Sequence, residues 1–162
     1  AKMDGWIFQD ASQSASIDFF IRSLVVFFRE INVCVIGDLI VDEFINCHPL
    51  GMSQEEPTIV VTPIDSKRFL GGAGIVAAHC ASLGAKTTLL TVRGEDEVGE
   101  WSTRKALEYG IEMIALVDST RPTTLKQRFR SGSQTLLKLT HLRQENISSE
   151  LETNLLEKFK ID

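Results

Sequence analysis

Gly71, Gly72 and Gly74 stand directly before a run of small residues that reads as a helix from about Gly74 to Leu83, closed by Gly84. Glycines at such a turn let a ligand come close to the backbone. The first helical turn adds unpaired N–H groups and the positive end of a dipole. That combination can receive hydroxyls or an anion. A second chemical signal lies upstream, where the apolar run from Val33 to Ile36 leads to Asp38 and Asp42, two carboxylates four residues apart. At the C-terminal end of a strand, the place where open α/β sheets bind ligands, carboxylates can grip sugar hydroxyls. Lys126 and Arg128 alternate on one face of a further strand, a pattern that suits a phosphate group. Each signal has a plainer reading: a tight packing turn for the glycines, a turn cap for an aspartate, and a charged guard on a solvated strand edge for the two cations. Taken together they point to a sugar-binding α/β domain.

The elements that must position these residues follow from periodicity and turn residues. Asn32 to Ile36 and Lys86 to Val92 are apolar strands of the buried, parallel kind. Ile111 to Val117 continues that series. Glu43 to Leu50 is mixed and punctuated by Pro49, Gly51 and Pro57, which predicts a short or edge strand. Thr58 to Thr62 is a β-branched strand. Asp96 is placed to cap a helix running to about Tyr109, with Gly110 ending it. Alternating strands and helices require a parallel sheet. After Pro122, Thr123–Arg130 and Gln134–His141 predict an antiparallel hairpin around a three-residue Ser131-Gly132-Ser133 turn. Ser148 or Ser149 caps a last helix to about Phe159. Ile17, Phe20, Ile21, Leu24 and Phe28 have helical spacing, so residues 1–30 read as an extension with an amphipathic helix.

The chain has 162 residues, enough for one domain with a proper core. With 43% hydrophobic and 24% charged residues it reads as folded rather than disordered. A net charge of −5 without a basic run argues against nucleic acid as a partner. The apolar stretch at residues 17–28 is too short to span a bilayer, so no membrane partner is expected. Cys34, Cys47 and Cys80 have no Cys-x-x-Cys spacing, and Cys34 and Cys80 sit in apolar patterns that predict buried thiols; a reducing cytoplasm follows. His48, His79 and His141 are scattered, so no metal site is expected. His79, Trp101 and the phenylalanines read as packing residues.

Six short motifs in this order resemble the ribokinase (PfkB-type) carbohydrate kinases, and among them the heptose-7-phosphate kinase branch. They are Gly37-Asp38-Leu39-Ile40-Val41-Asp42, Gly51-Met52-Ser53-Gln54-Glu55-Glu56-Pro57, Leu70-Gly71-Gly72-Ala73-Gly74, Leu83-Gly84-Ala85, Gly94-Glu95-Asp96-Glu97-Val98-Gly99 and Arg121-Pro122-Thr123-Thr124-Leu125-Lys126. The resemblance implies a ribokinase-like α/β fold, an open sheet with flanking helices plus a small β-sheet lid built from about 43–69 and 123–141. It implies transfer of a phosphoryl group from ATP, with Mg²⁺, to a sugar or sugar phosphate. The substrate ligands it implies are Asp42 and Asp38 with Gly71, Gly72 and Gly74; Lys126 and Arg128 join them from their alternation on one strand face, with Arg121 and Arg130 as lesser candidates, and the partner implied is a second copy of the chain joined through the lid. It also implies that residues 31–162 are the N-terminal half of such a domain. The family's Gly-Ala-Gly-Asp turn, which carries the catalytic base, occurs nowhere in these residues, so no phosphotransfer is expected from them alone. The other reading is a non-catalytic module that binds a sugar phosphate or pairs through the lid. The branch usually has an asparagine where this chain has Ile75, which puts the usual heptose phosphate in question as the substrate.

Overall fold

The computed structural model describes residues 26–159 together with Phe19 and Ser23. Among the described residues from Asn32 onward, seven strands and three helices follow one another: β1 (Asn32–Ile36), β2 (Leu39–Met52), β3 (Ile59–Gly72), α1 (Ala73–Ser82), β4 (Lys86–Arg93), α2 (Glu97–Glu108), β5 (Ile111–Val117), β6 (Thr124–Ser131), β7 (Gln134–His141) and α3 (Ser149–Phe159). They form two sheets. The first is parallel, in the order β1-β4-β5; the second is mixed, in the order β3-β2-β6-β7, with β2 parallel to β6 and antiparallel to β3. The α/β fold with a second sheet read from the sequence is therefore present, but that second sheet is not small: among the described residues it has four strands, two of them 14 residues long, against three shorter strands in the parallel sheet. The helix expected over residues 17–28 lies largely outside the described residues; residues 26–29 are helical. No helix among the described residues is long and apolar enough to cross a membrane.

The core forms where α1 and α2 meet the parallel sheet. Leu39, Leu70, Ala73, Ala77, Ala78, Leu89, Ala106 and Ile111 are buried together, with Val35, Trp101 and Met113 packed against them. Ala73, Gly74, Ala77 and Ala78 make one stripe along α1, and their small side chains let the helix lie close to the strands. β4 runs through the middle of the sheet, with Leu89 and Leu90 almost wholly buried. Its two buried threonines are satisfied locally: the Thr87 hydroxyl donates to the Ala85 carbonyl at 3.1 Å, and that of Thr91 to the Gly37 carbonyl at 2.7 Å.

β2 corrects the expectation of a short edge strand over 43–50. It runs for 14 residues and lies between two partners in the second sheet. Pro49 is tolerated because β6 pairs with β2 only as far as Asn46, and the register against β3 shifts at Asn46/Cys47 and again at Pro49/Gly51. Proline thus sits where one side of the strand is unpaired and the ladder is already broken. β3 is likewise longer than expected and continues to Gly72. The β6–β7 hairpin turns over two residues, Gly132 and Ser133, rather than three. Cys34 is exposed and Cys80 half-buried, whereas Cys47 is buried, because β1 is an edge strand and Cys34 lies on its solvent side. His79 is exposed on α1, and Phe27, Phe69 and Phe159 are exposed as well, so these are not core residues.

Asp96 does more than cap α2. One carboxylate oxygen accepts the Gly99 N–H at 2.8 Å, and the other accepts the Thr123 N–H at 2.7 Å. The Thr123 hydroxyl in turn accepts from the Gly94 N–H at 2.9 Å. The start of α2 is thereby joined to the segment that feeds β6. Burial pushes the Asp96 carboxyl up, but the Thr123 and Gly99 N–H groups outweigh it and hold the group below the usual carboxylate range. A lowered native value stabilises the fold above the unfolded pKa of about 3.9, and that stability disappears as pH falls through the native value. Asp96→Asn keeps one capping oxygen but turns an amide NH2 toward the Thr123 N–H, so it is expected to cost about 1–3 kcal/mol near neutral pH and to flatten the loss of stability below about pH 4, read from urea unfolding across pH. An unchanged acid limb would show that the carboxylate is not the coupling group. Leu89→Ala is expected to cost about 2–5 kcal/mol in the same assay.

Candidate functional site

The chain leaves the parallel sheet at Gly37-Asp38 to enter β2, and it returns from β3 at Gly72-Ala73 to enter α1. These two crossings touch. The Ala73 N–H donates to the Asp38 carbonyl at 3.0 Å. Gly72 has φ 55°, and a Cβ there would run into the same Asp38 carbonyl. Glycine is required at this position on both counts. The first amide of α1 is therefore turned onto the chain's own backbone.

One face of the second sheet carries the chemistry. Strand partners lie side by side, so their side chains share a face. Across β3, β2 and β6 the successive rows are Gly71, Ile40 and Thr124; then Phe69, Asp42 and Lys126; then Lys67, Phe44 and Arg128; then Asp65, Asn46 and Arg130. The Asp42 carboxylate packs against Gly71, where a Cβ would overlap its Oδ2. Its Oδ1 accepts from Arg128 Nη1 at 2.5 Å. Both side chains keep about a quarter of their surface open, 24% for Asp42 and 30% for Arg128. A carboxylate fixed on one oxygen by a guanidinium and pressed to a bare backbone keeps the lone pairs of the other oxygen for a ligand's hydroxyls.

The opposite face holds a polar network that runs from the buried Glu43 out to the exposed Glu97. Glu43 accepts from Arg68 Nε at 3.0 Å and from Gln127 Nε2 at 2.7 Å. Arg68 Nη1 also reaches Glu97 in the first turn of α2 at 2.8–2.9 Å. Burial pushes the Glu43 carboxyl up, and the Gln127 and Arg68 hydrogen bonds outweigh it, leaving the group below its ordinary value. This network ties the second sheet to α2.

A cleft of about 760 Å³ opens at the C-terminal ends of β1 and β4. Asp38, Ile40, Thr91, Arg93, Thr124 and Lys126 are among its lining residues, and α3 contributes Leu155 and Leu156. Ile40, Thr124 and Lys126 belong both to this cleft and to the Asp42 face, so the cleft leads onto that face. Arg121 is held by Asp118 at 2.6 Å and by the Asn146 carbonyl at 3.0 Å, which fixes the cleft's outer loops.

The residues singled out from the sequence thus fall into three places. Asp38 and Lys126 line the cleft. Asp42, Gly71 and Arg128 meet on the sheet face. Gly72 and Gly74 serve the crossing and the packing of α1. Two local expectations are corrected. Asp42 is the fourth residue of β2, not the end of an apolar strand, and β3 runs directly into Gly71 and Gly72, so these glycines are strand residues rather than a loop. Arg130 follows the alternation of Lys126 and Arg128 and was a lesser candidate from the sequence, whereas Phe44, Phe69 and Lys67 were not singled out as part of its surface. The only signal for them is the two-residue alternation of β2 and β6, which is silent about which strands pair.

No family model matches the chain. Over 128 residues it is 37% identical to the bifunctional protein HldE of Bradyrhizobium diazoefficiens, covering 77% of this chain and 26% of that protein. Over 107 residues it is 39% identical to the D-beta-D-heptose 7-phosphate kinase of Bordetella bronchiseptica, covering 66% of this chain and 34% of that one. The chain therefore spans about a quarter to a third of the length of these curated relatives. In fold it matches a Clostridium perfringens chain assigned as a sugar kinase, with a TM-score of 0.62 at 17% identity over 81% of this chain and 41% of that chain. It also matches a carbohydrate kinase from Agrobacterium tumefaciens, with a TM-score of 0.56 at 17% identity over 68% and 35%. The six motifs, the two-sheet fold and these relatives agree: the chain belongs to the ribokinase (PfkB-type) carbohydrate kinase family, with its sequence relatives on the heptose 7-phosphate kinase branch.

Proposed function

We propose that this chain is the sugar-binding part of an ATP-dependent carbohydrate kinase that acts on a sugar phosphate, and that it does not transfer phosphate by itself. The observation that carries this reading is the Asp42 carboxylate, oriented by Arg128 and seated on Gly71 beside a cleft at the C-terminal ends of the parallel strands. A carboxylate so placed accepts hydrogen bonds from neighbouring sugar hydroxyls and aligns the ring. Asp38 and Lys126, at the cleft, contact the same ligand. In the parent enzyme a hydroxyl of that sugar would attack the γ-phosphate of ATP, with Mg²⁺ offsetting the charge. Among the described residues no three histidine, cysteine or acidic side chains converge to hold a metal. The α1 amide that could meet a phosphate is engaged with Asp38. In this reading the nucleotide and Mg²⁺ are held by other residues of the parent.

The same reading includes a partner. Ile59, Val60 and Ile64 on β3 and Leu137 and Leu139 on β7 are exposed large apolar residues on the outer strands of the second sheet. Unpaired edges and apolar patches of this kind favour association, and a second copy pairing through this sheet, acting as the lid, would cover them.

Calorimetric titration of the 162-residue chain with D-beta-D-heptose 7-phosphate is expected to show saturable binding. Asp42→Asn should weaken it by about 1.5–3 kcal/mol, the worth of a charged hydrogen bond, or roughly 10- to 150-fold in Kd. Gly71→Ala should weaken it as well by displacing the carboxylate. Undiminished affinity in Asp42→Asn, or no binding by the unaltered chain, would sink the sugar-site reading. Light scattering at micromolar concentration is expected to return at least a dimer; a stable monomer would remove the partner.

A further inference from the structure

We infer that a second, smaller pocket on the Asp42 face is a phosphate subsite formed by Arg130 and Lys67. It lies beyond Phe44, away from the cleft, and holds about 330 Å³ between Phe44, Asn46, Lys67, Phe69 and Arg130. The inference depends on the sugar reading above only for which molecule brings the phosphate.

Arg130 carries the argument. Its Nε is buried and has no hydrogen-bond partner. A buried donor left unmade is costly, and native proteins rarely keep one without a use for it. The guanidinium lies 5.8 Å from the centre of the Phe44 ring, and its Nη2 makes only a long 3.4 Å contact to the Ser133 carbonyl. Arg128, on the same face, is different: it is committed to Asp42. Among the described residues neither Arg130 nor Lys67 forms an ion pair, so two cations share this pocket without a countercharge from those residues. The Asn46 amide is turned by Asp65, to which it donates at 2.6 Å. Phe44 and Phe69, edge to face at 5.8 Å, supply an apolar wall that strengthens any charge pairing beside it.

The backbone is irregular at this point in both strands that frame the pocket. The β2–β3 register shifts between Asn46 and Cys47, and the β6–β7 register shifts between Phe129 and Arg130. Bulges re-aim side chains and gather beside binding sites. A phosphate monoester carries about −1.5 to −2 near neutral pH, a charge that two cations can share even with Asp65 on the same face. The fork of an arginine also suits phosphate oxygens. From Asp42 to Asn46 is four residues of strand, about 13 Å at the usual rise. A phosphorylated sugar chain laid along β2 could therefore have its hydroxyls at Asp42 and its phosphate directed toward Arg130.

The test follows the Arg130 Nε–H resonance by NMR in the 162-residue chain. With inorganic phosphate the resonance is expected to move saturably. Lys67→Ala should weaken that response at least tenfold, while Lys138→Ala, which removes an exposed cation of the same face outside the pocket, should leave it unchanged. D-beta-D-heptose 7-phosphate should move the resonance and the unphosphorylated heptose should not. Absence of a response to phosphate, or an equal response in Lys67→Ala, overturns the subsite. Should phosphate act as expected while neither sugar binds, the anion pocket stands and the sugar reading falls. Should both heptoses move the resonance alike, the phosphate assignment falls and the sugar reading stands.

Discussion

Everything in this structure depends on the contact between two crossings. The polypeptide passes from the parallel sheet to the second sheet at Gly37-Asp38 and comes back at Gly72-Ala73, and the Asp38 carbonyl receives the Ala73 N–H at 3.0 Å. The approach is possible because Gly72 lacks a Cβ and holds φ 55°. Thr91, buried in the central strand β4, secures the same turn through the Gly37 carbonyl. This junction sets where β2 begins, and the start of β2 sets which face Asp42 presents. A one-residue slip would exchange the two faces of the strand, burying Asp42 and exposing Val41 and Glu43.

The second sheet is consequently two-sided in its chemistry. Its buried face carries Val41, Ile45 and Leu125 with the Glu43–Arg68–Glu97 network, which fastens the sheet to α2. Its other face carries Asp42, two phenylalanines and a row of cations. Two acids at the joints between elements, the buried Glu43 and the half-buried Asp96, are each held in the charged form by donors that exceed the effect of burial. Both are structural couplings between elements distant in sequence, and neither faces the cleft.

On the proposed reading, a flexible, hydroxyl-rich ligand would meet a seat built on strands rather than on loops. Asp42 is oriented from one side by Arg128 and pressed from the other by a glycine backbone, so little side-chain freedom remains to be lost on binding. The glycine cluster has three separate packing tasks. Gly71 makes room for a carboxylate, Gly72 makes room for a carbonyl, and Gly74 lies in the buried stripe of α1.

Much of this was legible in the sequence, because it is local. The apolar runs of β1, β4 and β5, the caps at Asp96 and Ser148, the β6–β7 hairpin and the six family motifs are each decided by residues close together in the chain. The length of β2 was not legible, since a proline is forbidden or harmless according to whether a neighbouring strand needs its missing N–H. Nor were the second hydrogen bond of Asp96, the commitment of Arg128 to Asp42 and the meeting of Lys67 with Arg130. Each joins residues 27 to 86 positions apart or on strands whose register is a property of the assembled sheet. Residue type and spacing thus determined which chemical groups the chain possesses and the family it belongs to. Only strand pairing decided which of them stand together and which remain without a countercharge, because charges and donors act across a few ångströms of space rather than along the sequence.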